Sequence, residues 1–148
     1  MNTQLAMRIV PPEVYIKHTG TPKGRGVFAG RAFKQDEVVE ACPVVPFEPL
    51  PDRRLPQDIK RIVFGWANLL GLNRLRPAIA LGYGSMYNHA NPASLRCQAD
   101  AETLVLRFIA VRDIAADEEL TINYNTVANP VSNGDAWFEK NGVKLVAE

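Results

Sequence analysis

Residues 81–94 read Leu81-Gly82-Tyr83-Gly84-Ser85-Met86-Tyr87-Asn88-His89-Ala90-Asn91-Pro92-Ala93-Ser94, and no other stretch says as much about the fold. Glycines and tyrosines crowd in front of a polar pair, Asn88-His89. Small residues let the backbone fold tightly, and an amide beside an imidazole offers hydrogen bonds to a ligand or to the main chain. Taken alone, the same residues suit a loop entrance at which a buried Asn and His are satisfied by backbone groups. The surrounding chain has to separate the two.

Upstream, Glu13 to Lys17 is a short β-branched and aromatic run, followed by a Gly and Pro rich turn from Thr19 to Gly26. Gly26 to Ala29 and Glu37 to Cys42 are further β-type runs around a polar turn at Lys34 to Asp36, so the first third reads as a β-meander. Pro43, Pro46, Pro49 and Pro51 follow closely. Each lacks a backbone donor, which predicts a surface loop and excludes both helix and central ladder. Beyond it, Leu55, Ile59, Ile62, Val63 and Trp66 recur with the spacing of one apolar helical face, predicting a helix that ends near Gly65, with a loop over Asn68 to Pro77.

Downstream, Ser94 to Ala99 and Thr103 to Val111 predict a hairpin across Asp100 to Glu102. Leu120 to Tyr124 reads as a short strand, and Asp135 to Lys140 as a last helical turn. The fold class is therefore mainly β: several small sheets with one or two short helices.

The chain has 148 residues, 47% hydrophobic and 22% charged, which fits one folded domain and not a disordered segment. Seventeen basic and sixteen acidic side chains leave a net charge of +1. That is too little to predict nucleic-acid or acidic-membrane binding. Two cysteines, Cys42 and Cys97, and two histidines, His18 and His89, complete no zinc set, so no metal is expected and the thiols read as reduced. The first ten residues lack the pattern of a cleavable signal, and no run of about 18 apolar residues occurs. A cytoplasmic or nuclear protein without a membrane span is expected.

Three other segments carry possible chemistry. Lys23-Gly24-Arg25-Gly26 stands just before a strand, either as a plain hairpin turn or as backbone that approaches a ligand closely. It is no dinucleotide fingerprint, because the third glycine and the following helix are missing. Asp117-Glu118-Glu119-Leu120-Thr121-Ile122-Asn123-Tyr124 reads as a solvated turn entering an edge strand, with Tyr124 in the core. Trp137-Phe138 can close over a core or over a flat ligand.

In this order, KGRGVFA, LGYGSMYNHANPAS, DEELTINY and a C-terminal aromatic, the chain resembles a SET-domain protein lysine methyltransferase. It is similar to the minimal single-domain SET proteins of viruses and bacteria, which lack flanking zinc modules. The resemblance spans Val14 to Val146. It implies a SET fold with a knot-like C-terminal crossing, residues 1–12 as an N-terminal extension, and residues 130–148 closing the pocket for cofactor and lysine.

It further implies S-adenosylmethionine as donor and S-adenosylhomocysteine as product, with no metal. Lys23, Gly24, Arg25 and Gly26 would contact the methionine part of the cofactor, with Asn88 and His89 in the same pocket and Trp137 on adenine. Tyr124 would be the catalytic tyrosine, and Tyr83, Tyr87 and Phe138 would be channel walls. The acceptor would be a lysine of a protein or peptide, laid beside a strand. Asp113, Asp117, Glu118 and Glu119 could favour a basic, histone-like substrate, or simply solubilise a turn. Minimal SET proteins can form homodimers, but no stripe in this sequence marks such a contact.

Two departures stand out against the family pattern NHSCxPN: this chain reads NHANPAS, one residue shorter before Pro92, and Asn123 replaces the more usual Asp. The rival reading is a non-catalytic SET-like module that binds a peptide or partner subunit. An unrelated β-rich ligand-binding domain would require the order of motifs to be coincidence.

Overall fold

The computed structural model describes residues 8–49 and 54–145. Pro51, the start of the expected N-terminal extension and the last three residues lie outside them. Among the described residues nine strands form two sheets: β1 Val14–His18, β2 Arg25–Ala29, β3 Val38–Pro46, β4 Phe64–Gly65, β5 Pro77–Ala80, β6 Asn88–His89, β7 Leu95–Asp100, β8 Val105–Ala110 and β9 Glu119–Ile122. One sheet has the order β1-β2-β9-β6, the other β4-β5-β3-β8-β7. Helices are short: α1 Gln57–Lys60, α2 Trp66–Leu69 and α3 Ala136–Asn141. Among the described residues no helix is long and apolar enough to cross a membrane. The architecture is mainly β, as the pattern of short runs predicts.

Two local expectations are overturned. Pro43 and Pro46 lie in β3, the middle strand of its sheet, and not in a surface loop. The ladder tolerates them because its two neighbours overlap β3 only diagonally. β8 pairs with β3 as far as Pro43, whereas β5 pairs from Val44 to Pro46. The Pro43 carbonyl accepts the Leu81 N–H just past the end of β5, so its missing donor faces a strand that has run out. Pro46 faces the other side, where β8 has ended.

The amphipathic stretch from Leu55 to Trp66 is not one helix. It breaks into α1, β4 and α2, because Phe64–Gly65 pairs antiparallel with Pro77–Ala78 at the sheet edge. A helix of a dozen residues is marginal by itself, and tertiary pairing overrides it. Trp66 is still buried as the spacing requires.

The core lies between the sheets. Val27, Leu95, Leu106, Phe108 and Leu120 are fully buried there, contributed by strands whose alternate residues face inward. β9 is the hub that positions the site. It pairs antiparallel with β2, Val27 opposite Leu120, and parallel with β6, Asn88 opposite Thr121 and His89 opposite Ile122. After β9 the chain crosses the loop that follows Asn88-His89. Pro130 accepts the Ala93 N–H at 2.8 Å, Val127 accepts the Cys97 N–H at 2.7 Å, and the Asn91 amide bonds the Ser132 carbonyl at 3.0 Å. This is the knot-like crossing of the fold.

Candidate active site

Three motifs that lie far apart in sequence meet along β9. The Gly-x-Gly segment opens β2 on one side, Asn88-His89 forms β6 on the other, and Tyr124 leaves the strand two residues after Ile122. Direct bonds tie them together. The Asn88 amide donates to the Arg25 carbonyl at 3.0 Å and to Glu119 Oε1 at 3.1 Å, and Lys23 Nζ reaches the His89 carbonyl at 3.3 Å. A side chain at Gly26 would disturb these bonds, since a Cβ would lie 2.7 Å from Glu119 Oε1 and 2.9 Å from Asn88 Nδ2 and both groups would have to shift. Gly24 has φ +77°, a conformation that favours glycine, and it closes the turn: its N–H donates to the Thr21 carbonyl at 3.0 Å and its carbonyl accepts the Thr19 N–H at 2.8 Å.

His89 Nδ1 accepts the Tyr124 N–H at 3.0 Å, which puts no proton on that nitrogen. The Tyr124 hydroxyl donates to the Tyr87 carbonyl at 2.7 Å. Its ring is held among others: Trp137 lies edge-on at 4.8 Å, Phe138 near-parallel at 6.0 Å, and His89 at 5.4 Å. Few degrees of freedom remain to this tyrosine.

On one side of Tyr124 opens a cavity of about 350 Å³. Ile62 to Gly65 and Leu69 form one wall, Asn125 to Ala128 the other, and Tyr87, Tyr124 and Trp137 line it as well. Gly24, Gly26, Asn88 and His89 do not line it. They are joined to it through the bond from the Tyr124 N–H to His89 Nδ1.

The structure thus distributes the expected residues unevenly. Tyr87 is buried, with only part of its surface at the cavity, and its hydroxyl bonds the buried Glu40 carboxylate at 2.6 Å. Tyr83 is not among the cavity-lining residues and its N–H also binds Glu40. Phe138 lies 4.6 Å edge-on to His89, away from the cavity, whereas Trp137 lines it. Sequence reasoning passed over Glu40, which bonds Tyr83 and Tyr87, and expected Glu119 only as one of four acids that could favour a basic substrate, whereas it bonds Asn88. Glu119 reads in sequence as one solvated acid among three, and only the register of β9 against β2 turns it toward Asn88.

Asn123 also finds its reason. It is fully buried, donates to Ser132 Oγ at 3.0 Å and accepts the Asn125 N–H at 3.0 Å. An ionised Asp can only accept and would carry a buried charge there. Asn91 meets the same serine, so the shortened loop satisfies its polar groups against the crossing segment.

Burial, and after it the Glu119 charge, pushes the Tyr124 phenol up to about 12. It therefore stays protonated at neutral pH and cannot serve as a phenolate base. Between pH 10 and 12 the unfolded chain ionises at this position and the folded chain does not, so folding stability falls as pH rises through that window. At 1.36 kcal/mol per unit the loss is about 3 kcal/mol, and Tyr87, also pushed up by burial, steepens it. Urea unfolding at pH 9 and pH 11.5 should record that decline. An unchanged midpoint would show that Tyr124 is not buried as described.

A central strand between a Gly-x-Gly strand and an Asn-His strand, with a tyrosine just beyond, defines a SET domain. Residues 24–125 match the SET domain family model, and the chain belongs to that family, the SET-domain protein-lysine methyltransferases. A curated relative from Schizosaccharomyces pombe, named histone-lysine N-methyltransferase, H3 lysine-37 specific, is 28% identical over 120 residues, covering 79% of this chain and 71% of that protein. Among solved structures, a Plasmodium falciparum protein assigned to the histone methyltransferases superposes with a TM-score of 0.57 at 24% identity, covering 75% of this chain and 96% of that one. The Cryptosporidium protein CpSET8 gives 0.54 at 21% identity, covering 78% of this chain and 58% of that one. At such identities the two structures bear on the fold alone.

Proposed function

We propose that the chain transfers a methyl group from S-adenosylmethionine to the ε-amine of a lysine presented by an extended segment of another protein. The observation that supports this best is that Tyr124 lines the cavity and is bonded through its N–H to His89 of the Asn-His strand, so a cofactor compartment at the three motifs and an acceptor compartment at the cavity would meet at this residue. On one side, Lys23 to Gly26, Asn88 and His89 would hold the cofactor. Bound there, it supplies a methyl group made electrophilic by a sulfonium. On the other side, the cavity would receive the lysine.

The arrangement of the aromatics favours an exchange of two expected roles. Phe138, against His89, suits the cofactor side, and Trp137, beside Tyr124, suits the channel. Both stand on α3, so the C-terminal segment would close the two compartments together.

A lysine amine with a free pKa of about 10.4 costs about 4.6 kcal/mol to neutralise at pH 7. The cavity lowers that cost. Its lining offers apolar side chains, a protonated Tyr124 and, among the described lining residues, no carboxylate to hold an ammonium. Transfer then needs little beyond alignment, which a fixed tyrosine hydroxyl and a narrow channel provide.

β4 is an edge strand and lines the cavity, so an acceptor segment can add alongside it. The name of the yeast relative makes histones the first proteins to try. Incubation with labelled S-adenosylmethionine and a panel of histones and other proteins, followed by mass spectrometry, should find methylated lysine. Cofactor binding without transfer to any protein would favour a non-catalytic binding module.

Gly26→Ala probes the cofactor side. Its methyl has to push aside Glu119 and Asn88 and with them the bond to the Arg25 carbonyl. Calorimetry should show S-adenosylmethionine binding at least tenfold weaker, about 1.4 kcal/mol. Unchanged affinity would remove this strand from the cofactor site.

A further inference from the structure

We propose that the acceptor groove prefers a lysine with an acidic neighbour over one set in a basic run, and that Arg61 is the specificity-determining side chain. This rests on the reading of the cavity as the acceptor channel. The sequence suggests the opposite, a mouth of acids for a basic tail, but the structure engages those acids elsewhere. Asp113 accepts the Gln35 N–H at 2.9 Å and Asp117 the Tyr15 hydroxyl at 2.7 Å. Glu118 pairs with Arg112 and caps the Ala115 N–H, and Glu119 holds Asn88. None of the four lines the cavity.

The charge at the groove is of the other sign. Of the described residues lining it, Arg61 alone is charged. The wall segment 54–76 to which it belongs carries Arg54, Lys60, Arg61, Arg74 and Arg76 against the single acid Asp58. Only Arg76 in that set makes an ion pair among the described residues, with Glu48. The facing wall, 122–128 with Trp137, has no charged side chain at all.

Arg61 is exposed and stands three residues before Phe64, so a segment lying along β4 passes it within a few positions of the target lysine. An exposed ion pair changes an equilibrium by no more than about fivefold. Exchanging an acidic for a basic neighbour turns attraction into repulsion, so the total discrimination should be about tenfold and should shrink with added salt.

The test uses three fluorescent peptides of one backbone, each with a central lysine flanked by Glu, Ala or Arg. Their binding by anisotropy and their methylation with S-adenosylmethionine are measured for the native chain, Arg61→Ala and Arg61→Glu. The native chain should bind the Glu peptide about tenfold tighter than the Arg peptide, Arg61→Ala should flatten the series, and Arg61→Glu should invert it. A native preference for the Arg peptide, no preference, or an order unchanged in Arg61→Glu overturns the proposal. Binding is read without turnover, so its outcome stands apart from the methyltransferase reading. The charge order can hold while no peptide is methylated, and methylation can proceed with no charge order.

Discussion

Tyr124→Phe should bind S-adenosylmethionine as the native chain does and turn over at least tenfold more slowly. The ring keeps its place, because Trp137, Phe138 and His89 pack around it and its N–H still bonds His89 Nδ1. What goes is a single oxygen. That oxygen belongs to a residue that lines the cavity and is fixed by donation to the Tyr87 carbonyl, with lone pairs that would orient an amine or a methyl group. An interaction made mainly as the reacting groups align lowers kcat more than it raises KM. The Tyr87 carbonyl also loses its donor, for which a stability cost of about 1–3 kcal/mol is expected. Single-turnover kinetics at saturating cofactor, with calorimetry alongside, separate these effects. Equal turnover in the two proteins would reject the catalytic role.

The largest effect on stability is expected from Phe108→Ala, about 3–5 kcal/mol. Phe108 is fully buried at the centre of β8, 4.7 Å from the Tyr87 ring and edge-on to Phe64 at 6.2 Å, with Gly84 close enough that a Cβ there would touch it at 3.2 Å. Neighbours held in the core by their own packing can fill the space only in part. Against a usual total of about 5–15 kcal/mol, the thermal midpoint should fall by about 10 °C or more. Leu75→Ala, at a side chain 74% exposed, should stay within about 0.5 kcal/mol and serves as the control. A Phe108→Ala midpoint no lower than the control's would mean that the core is not packed as described. Because Phe108 supports Tyr87, whose carbonyl fixes Tyr124, some loss of activity should accompany the loss of stability.

The chain by itself marked the places of β1, β2, β3, β7, β8 and β9 and the order of the motifs, but not the short strands β4, β5 and β6. β-Branched runs bounded by glycine and polar turns are local signals, and the order KGRG, NHANP, DEELTINY is covalent. Asn88, His89 and Tyr124 were legible for that reason. Pairing is not local. β3 carries Pro43 in its interior and Pro46 at its end because two neighbours overlap it diagonally, and the apolar spacing from Leu55 to Trp66 yields to a two-residue edge strand, since ladder bonds to β5 outweigh a helix too short to hold itself. The tertiary structure alone turned Glu119 toward Asn88, set Phe138 against His89 and Trp137 beside the cavity, and engaged Asp113 with Gln35 and Asp117 with Tyr15, partners far away along the chain. Those outcomes depend on strand register and on which face of a one-turn helix meets the sheet. A shift of one residue would reverse each, and nothing in the identity of the side chains forbids it.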